Sequence, residues 1–212
     1  MSERFYKLVR MAGGRIFRNA SDSHVFHVER AARPGGYLLA ANHPSPYDAP
    51  LLIAATPRVI YWLSIVEIFR NPFIAWFLGS LGAEPLDRGK VDTRTVRVIV
   101  RHLRNGRVVG IFPEGEVRPG PDSVLSGGTM HDGICKLAQL AAVPVVPCVV
   151  LGGEKFSRWK NWLPGARTRW AVAYGEPIFP ATGRDRVHGL TAMADEIAEA
   201  LRNLQSEVVN YV

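Results

Sequence analysis

The stretch YLLAANHPSPYD, residues 37–48, decides how this chain folds. Its first five residues form an uninterrupted apolar run, which predicts a buried strand that ends near His43. Two prolines follow, and proline is accommodated in the first turn of a helix, where backbone N–H groups lack partners anyway. We therefore expect a helix to start near Pro44, with Asp48 just inside it. His43 and Asp48 would then converge where a strand meets a helix, the place at which α/β folds position their chemistry.

This pair of side chains predicts a general base oriented by a carboxylate. A neutral imidazole can accept the proton of an attacking hydroxyl, while the carboxylate fixes its tautomer and stabilises the imidazolium that forms. The bland alternative stays open, because a His and an Asp five residues apart also occur by chance and the prolines could simply mark a loop. A metal site is the weaker interpretation, since two residues at this spacing lack a third and a fourth ligand.

The composition of the chain limits the function classes. Its 212 residues are 47% hydrophobic, enough for one sizeable core and one domain. The net charge of +7 favours anionic partners, such as phosphorylated substrates or anionic lipid. Nucleic acid is not expected, because the sequence has no zinc-ligand spacing and no aromatic RNA-binding signature. Cys135 and Cys148 lie in apolar segments and are expected to be reduced core residues of a cytosolic protein.

Two segments are candidates for contact with a membrane. Residues 1–19 predict an amphipathic helix with a basic face, which suits either an anionic membrane surface or a cap packed on the core. We divide the chain into a membrane-associating segment, residues 1–24, and a catalytic domain, residues 25–212. The aromatic-rich residues 65–82 predict either core, a channel for an acyl chain, or a lipid contact. No apolar run reaches the length of a membrane span, and no signal peptide is expected.

The order of predicted elements indicates a single α/β domain with a mixed, mostly parallel sheet flanked by helices. Apolar or β-branched runs predict strands, and Val143–Leu151, which contains Pro144 and Pro147, is expected at or near a sheet edge. The turn Pro34-Gly35-Gly36 predicts an early hairpin, and this turn is the reason for expecting a mixed sheet. The predicted strands are 25–28, 37–41, 59–64, 83–86, 107–112, 143–151 and 168–174.

Four blocks occur in an order that resembles the glycerolipid acyltransferase family of the PlsC type. The first is Asn-His-x4-Asp, from Asn42 to Asp48, and the second ends in an arginine, Arg88. The third is Phe-Pro-Glu-Gly, Phe112 to Gly115, and the fourth is Val-Pro-x-x-Pro, Val143 to Pro147. Each block is weak alone, but four in order at familiar spacings over about residues 25–180 are a strong signal.

This resemblance implies an acyltransferase that moves a fatty acyl group from a thioester to the hydroxyl of a lysophospholipid. His43 would be the general base and Asp48 its orienting carboxylate, with lysophosphatidic acid as the expected acceptor. The residues implied to bind substrate are Asn42, Ser45, Arg88, Glu114, Gly115 and Arg118. No cofactor is implied, and acyl-CoA or an acyl-carrier protein would be the co-substrate. The enzyme would be peripheral or monotopic at the cytoplasmic face of an anionic membrane.

Two departures from the family pattern concern the acceptor. After Glu114-Gly115 the family usually has Thr or Ser, then Arg, whereas this chain has Glu116, Val117 and then Arg118. Where the family often shows Phe-Lys-x-Gly, this chain has Met130-His131-Asp132-Gly133. An acidic Glu116 would repel a phosphate and would suit a cationic or hydroxyl-rich head group. Two other functions remain open, namely a hydrolase that uses the same base on water and a non-catalytic lipid-binding protein.

Overall fold

A computed structural model describes residues 3–65, 70, 72–80, 82–86, 93–181 and 186–212. Over these residues the chain forms a seven-stranded sheet with helices on both faces. The strands are β1 (Ser21–Phe26), β2 (Tyr37–Ala41), β3 (Ile60–Ile65), β4 (Glu84–Leu86), β5 (Val108–Ile111), β6 (Val145–Leu151) and β7 (Thr168–Tyr174). The helices are α1 (Glu3–Ala20), α2 (Val28–Ala32), α3 (Asp48–Ala55), α4 (Pro72–Ser80), α5 (Thr93–Arg104), α6 (Gly133–Ala141) and α7 (Arg186–Val208).

The strand order of the sheet is β1-β7-β6-β2-β5-β3-β4. Every neighbouring pair is parallel except β6 and β7, which are antiparallel. Strand β2 is central, and its Leu39 pairs with Gly110 of β5 on one side and Val146 of β6 on the other. The predicted fold class is therefore confirmed: one α/β domain with a mixed, mostly parallel sheet, flanked by helices and preceded by an N-terminal helix.

Alternation along β2 separates two hydrophobic cores. Tyr37, Leu39 and Ala41 face the core that contains residues of α1, α2 and α3, whereas Leu38 and Ala40 face the core built from α5, α6 and α7. All five side chains are fully buried, as expected for a parallel strand covered on both faces. Because β2 ends at the middle of the sheet's C-terminal edge, Asn42 and His43 emerge between the two helical layers.

The mixed character of the sheet arises at a different place from the one predicted. The Pro34-Gly35-Gly36 turn does not make a hairpin, because α2 lies between β1 and β2 and β1 pairs in parallel with β7. The antiparallel pair is β6 with β7. A turn pattern in the sequence shows where the chain reverses, but not which strands pair with each other. The predicted hairpin was therefore wrong, although the prediction of a mixed sheet was right.

Strand β6 is not an edge strand, contrary to the sequence prediction. It lies between β7 and β2, and its one proline, Pro147, is accommodated by a local interruption of the β6–β7 ladder. Cys148 pairs with Tyr174 and Val145 bridges to Ile178, so the segment after β7 has one extra residue between the two pairs. Pro147 accepts the Gly175 N–H (2.8 Å) within this bulge, where its missing N–H is not needed.

Several element boundaries differ from those predicted. Strand β1 starts at Ser21, not Val25, and therefore crosses the boundary of the division into residues 1–24 and 25–212, which stays a prediction. Helix α3 starts at Asp48 rather than near Pro44, because residues 44–47 form turns. Within the described residues, none of the helices has both the length and the apolar character needed to cross a bilayer.

Candidate active site

His43 and Asp48 meet at the C-terminal edge of the sheet. The Nδ1 atom of His43 lies 3.0 Å from Oδ2 of Asp48, and the same oxygen accepts the Ser45 N–H at 2.8 Å. An ionised carboxylate has no proton to donate, so Nδ1 is the donor in this bond. A neutral His43 therefore carries its lone pair on Nε2, the atom that a substrate hydroxyl would approach.

The turn between β2 and α3 produces this arrangement. Asp48 is the first residue of α3, and its N–H donates to the Ser45 carbonyl (3.2 Å) while its side chain accepts the Ser45 N–H. The Ser45 hydroxyl accepts the Tyr47 N–H (3.2 Å), and Pro46 between them has no N–H to satisfy. Ser45, predicted to bind substrate, is thus buried and makes these contacts within the turn.

The Asp48 carboxylate is fully buried, and its two oxygens differ in environment. Oδ2 has two donors, whereas Oδ1 has no hydrogen-bond partner among the described residues. Gly153 lies against Oδ1 so closely that a methyl group on its Cα would overlap this oxygen. Burial raises the pKa of Asp48, and the hydrogen bonds from His43 and from the Ser45 N–H oppose the rise.

Glu114 connects the loop after β5 to the backbone of His43. Its Oε2 accepts the His43 N–H at 2.6 Å, and its Oε1 accepts the Ser123 hydroxyl (2.9 Å) and the Val124 N–H (2.7 Å). The carbonyl of His43 in turn accepts the Arg118 N–H at 2.8 Å. Both carboxylate oxygens of the fully buried Glu114 are therefore engaged within the protein, which favours a positioning role over the predicted substrate contact.

An aromatic stack supports one face of the His43 ring. Phe112 stacks on His43 with ring centroids 3.8 Å apart and an interplanar angle of 8°, and Trp62 stacks on the other side of Phe112 at 4.9 Å. Gly110 makes this stack possible, because a Cβ there would lie 2.6 Å from a Trp62 ring atom. The stack fixes the plane of the imidazole, and the Nδ1 contact with Asp48 fixes the direction of Nε2 within that plane.

Asn42 is directed into the sheet and not towards a substrate. Its side-chain oxygen accepts the Val150 N–H (2.7 Å) and its Nδ2 donates to the Val150 carbonyl (2.9 Å), so the amide extends the pairing between β2 and β6. The residue is fully buried. These contacts account for an Asn immediately before His43 and do not support the predicted contact with substrate.

The remaining predicted residues differ in how the structure places them. Gly115 has φ +78°, and a Cβ there would approach the His131 ring to 3.0 Å. Arg118 donates from Nε and Nη2 to Glu116 Oε1, at 3.1 and 3.0 Å, and from Nη1 to the Thr129 hydroxyl. Its guanidinium is therefore paired with the acidic neighbour that the sequence placed beside it. Arg88, the predicted phosphate ligand, lies outside the described residues.

Three residues that hold the site were missed by the sequence analysis, namely Trp62, Gly110 and Gly153. Trp62 and Gly110 are paired across β3 and β5, and Gly153 follows β6. Their contacts join segments far apart in the chain, and no local pattern marks them. A large aromatic and a glycine within two neighbouring predicted strands were a weak signal, because aromatic side chains pack over glycine on adjacent strands. Within the described residues, no group of three or more His, Cys, Asp or Glu residues could hold a metal ion.

Comparison with known proteins gives a consistent picture. A family model described as "Acyltransferase" matches residues 23–151. The 1-acyl-sn-glycerol-3-phosphate acyltransferase of Bacillus subtilis is 26% identical over 190 residues, which cover 87% of this chain and 88% of that protein. The enzyme of the same name from Saccharomyces cerevisiae is 30% identical over 118 residues, 54% of this chain and 38% of that protein. The crystal structure of the 1-acyl-sn-glycerophosphate (LPA) acyltransferase PlsC from Thermotoga maritima superposes with a TM-score of 0.66 at 20% identity, covering 95% of this chain and 80% of the other.

Proposed function

The chain belongs to the PlsC-type acyltransferase family, and we propose that it transfers a fatty acyl group from a thioester to the free hydroxyl of a lysophospholipid. The observation that carries this proposal is the His43–Asp48 contact, because Nδ1 is held by a buried carboxylate and Nε2 is left as the acceptor. Such a base can act on a hydroxyl without a covalent acyl-enzyme, and acyl-CoA or an acyl-carrier protein would supply the thioester.

The proposed reaction is direct transfer. His43 Nε2 takes the proton of the acceptor hydroxyl as its oxygen attacks the thioester carbonyl, and Asp48 stabilises the imidazolium through Nδ1. Collapse of the tetrahedral intermediate breaks the carbon–sulfur bond, and the proton on Nε2 passes to the leaving thiolate. The products are the new ester and the free thiol. The stack on Phe112 and the two backbone bonds of His43 hold the imidazole still while the proton moves.

Lysophosphatidic acid is the proposed acceptor. The curated relatives from Bacillus subtilis and Saccharomyces cerevisiae are named for this type of acceptor, and the net charge of +7 suits an anionic substrate. Arg88 is the proposed phosphate ligand, because guanidinium gives bidentate contacts to phosphate. Arg118 is close to the site, since its N–H donates to the His43 carbonyl, but its guanidinium is shared with Glu116. Glu116 therefore competes with an acceptor phosphate for Arg118.

We propose that one surface, the membrane patch, rests on the anionic lipid of the cytoplasmic leaflet in a peripheral or monotopic manner. The membrane patch consists of Leu8 and Met11 of α1 and Phe73 and Trp76 of α4, all exposed, with Phe73 and Trp76 at 73% and 59%. A ring contact between Phe5 and Trp76, with centroids 5.9 Å apart, joins the two helices into one surface. Lys7 and Arg15 of α1 are exposed and add positive charge to it.

The test is to incubate the purified protein with labelled acyl-CoA and a panel of lyso-acceptors and to identify the lipid products by mass. We expect a diacyl product from lysophosphatidic acid, and we expect His43→Ala to lower its turnover by about 10²–10⁴-fold without loss of folding. Release of free fatty acid at the same rate with and without acceptor would instead identify a hydrolase. Near-normal transfer by folded His43→Ala protein would contradict the proposed base.

A further inference from the structure

Helix α5 carries an unusual concentration of positive charge. Its twelve residues, TRTVRVIVRHLR, include four arginines and no acidic residue. Arg97 and Arg101 are one turn apart and both are exposed, so their like charges repel and make the helix less stable than a mixed surface would. Neither Arg97 nor Arg101 forms a hydrogen bond or an ion pair within the described part of the chain. Arg97 and Arg101 therefore form a stripe of positive charge that has no partner among the described residues.

A groove lies between this stripe and α6. It has a volume of about 520 Å³, and its floor is formed by Val96, Val100 and Leu140, of which Leu140 is 56% exposed. Its rim is formed by Arg97, Arg101 and Arg104. The Arg104 guanidinium donates to the Leu140 carbonyl at 3.0 Å and ties the two helices together, so the groove is preformed. An apolar floor with a basic rim is complementary to a helix that has an apolar face flanked by acidic side chains.

The position of the groove favours a protein over a bilayer as its occupant. Helices α5 and α6 cover one face of the sheet, whereas α1, which carries half of the membrane patch, covers the opposite face. A flat bilayer in contact with the membrane patch would thus lie on the other side of the molecule. Helix α5 runs from the C-terminal edge of the sheet, where His43 lies, to the N-terminal edge, where Leu103 lies against Gly36, and its twelve residues span about 18 Å.

We propose that the α5–α6 groove docks an acidic amphipathic helix of the carrier protein that delivers the acyl thioester. This inference rests on the proposed function, because it assigns the surface that recognises the protein-bound donor. The arginines attract the acidic helix, and Leu140 and the two valines bury its apolar side chains. The flexible prosthetic arm of the carrier then brings the thioester to His43. Coenzyme A has no such helix, so we expect the groove to contribute little to the use of acyl-CoA.

The experiment compares two donors that carry the same acyl chain, acyl-CoA and acyl-carrier protein, in Arg97→Glu and in Arg97→Glu/Arg101→Glu. We expect the double variant to lower kcat/KM for acyl-carrier protein by about tenfold or more and to leave the value for acyl-CoA within about twofold. Fluorescence anisotropy with labelled acyl-carrier protein should show a matching rise in Kd. The matched control is Arg202→Glu, an exposed arginine on α7 outside the groove lining, which should change neither.

Folding of the variants is checked separately. Arg97→Glu places an acid four residues before Arg101 and three after Arg94, so its melting temperature should not fall. Equal loss with both donors, unchanged kinetics with the carrier donor, or no saturable binding of acyl-carrier protein to the wild type would each overturn the inference. Loss of vesicle flotation in these variants would assign the groove to lipid instead and would also overturn it. If neither donor gives a lipid product, the proposed function fails, and carrier binding by anisotropy still tests the groove.

Discussion

Asp48 is fully buried, and this burial raises the pKa of its carboxyl group. One carboxylate oxygen has two donors, whereas the other has none among the described residues. Ionisation is thus less favourable in the folded protein than in the unfolded chain, so the charge lowers the free energy of unfolding. A residue that costs stability is expected at positions that serve chemistry.

Asp48→Asn is therefore expected to lower turnover while making the protein more stable at neutral pH. The Asn oxygen can keep both hydrogen bonds, but the charge that stabilises an imidazolium is lost, so kcat should fall by about 10²–10⁴-fold. Because the folded-state pKa of Asp48 is raised above its ordinary value of 3.8, the wild type loses stability as the pH rises between these two values. Denaturant titrations should show the advantage of Asn growing across that range and then levelling off. An advantage that shrinks with rising pH would contradict the direction of the pKa shift.

Gly153→Ala tests whether the position of the carboxylate matters. Gly153 does not have a left-handed φ, so alanine fits the backbone there, but its methyl group would displace Asp48 Oδ1. We expect kcat to fall by about 10–100-fold, little change in the acceptor KM, and a much smaller effect when Asp48→Asn is already present, because both changes act on one contact. Gly133→Ala is the control, since a Cβ at Gly133 has no atom within 4 Å. Additive losses in the double variant would show that Gly153 acts elsewhere.

At the scale of elements, the sequence predicts most strands because their apolar runs are local. Strands β2 and β7 have the predicted limits, 37–41 and 168–174. The predictions of a hairpin partner for β1 and of an edge position for β6 were wrong. Pairing depends on contacts between distant segments, and Pro147 is tolerated inside β6 because the bulge at residues 175–177 removes the need for an N–H. The site follows the same rule. The His43–Asp48 pair lies within one block, but Gly153, which contacts Asp48, follows β6, and Trp62, which supports Phe112, lies on β3.

The loop after β5 provides a prediction about the acceptor. Glu116 Oε1 binds the Arg118 guanidinium, and an exposed ion pair of this kind is worth about 0–1 kcal/mol. Glu116→Gln should release Arg118 and raise kcat/KM for lysophosphatidic acid by up to about fivefold, with no gain for an uncharged monoacyl acceptor. Glu176→Gln, which breaks the remote Arg30–Glu176 pair, is the control. A loss with lysophosphatidic acid would mean that Glu116 itself contributes to acceptor binding.

At the scale of the whole molecule, the sheet separates two helical layers, and the two faces of the protein differ in the side chains that they expose. The face covered by α1 carries the proposed membrane patch, and the C-terminal edge carries His43 and Asp48. The sequence indicated both membrane candidates, the basic N-terminal helix and the aromatic stretch, but not that they contact each other through Phe5 and Trp76. Residues 66–69, 71, 81 and 87–92, which contain the rest of the aromatic stretch and Arg88, lie outside the described residues.

Vesicle flotation tests the membrane patch as a joint surface. Phe73→Ser and Trp76→Ser should each lower partitioning onto anionic vesicles by about tenfold or more, the effect expected for one large apolar side chain, and high salt should weaken what remains. Phe179→Ser is the control, because Phe179 is 65% exposed but lies outside the membrane patch. It follows Ile178, which bridges to Val145 at the start of β6. Truncation of residues 1–19 is unsuitable, since Tyr6 is fully buried and its hydroxyl accepts the Ile60 N–H. Undiminished flotation of both variants would contradict the patch.

The pairing of β1 with β7 has a consequence for biosynthesis. The ribosome makes α1 and β1 well before β7, so at about 5–20 residues per second these segments wait on the order of ten seconds for the strand that pairs with β1. During that interval the apolar side of α1 is presented to whatever is nearby, a bilayer or a chaperone. Translation close to a membrane would then allow the nascent chain to attach before its sheet is closed.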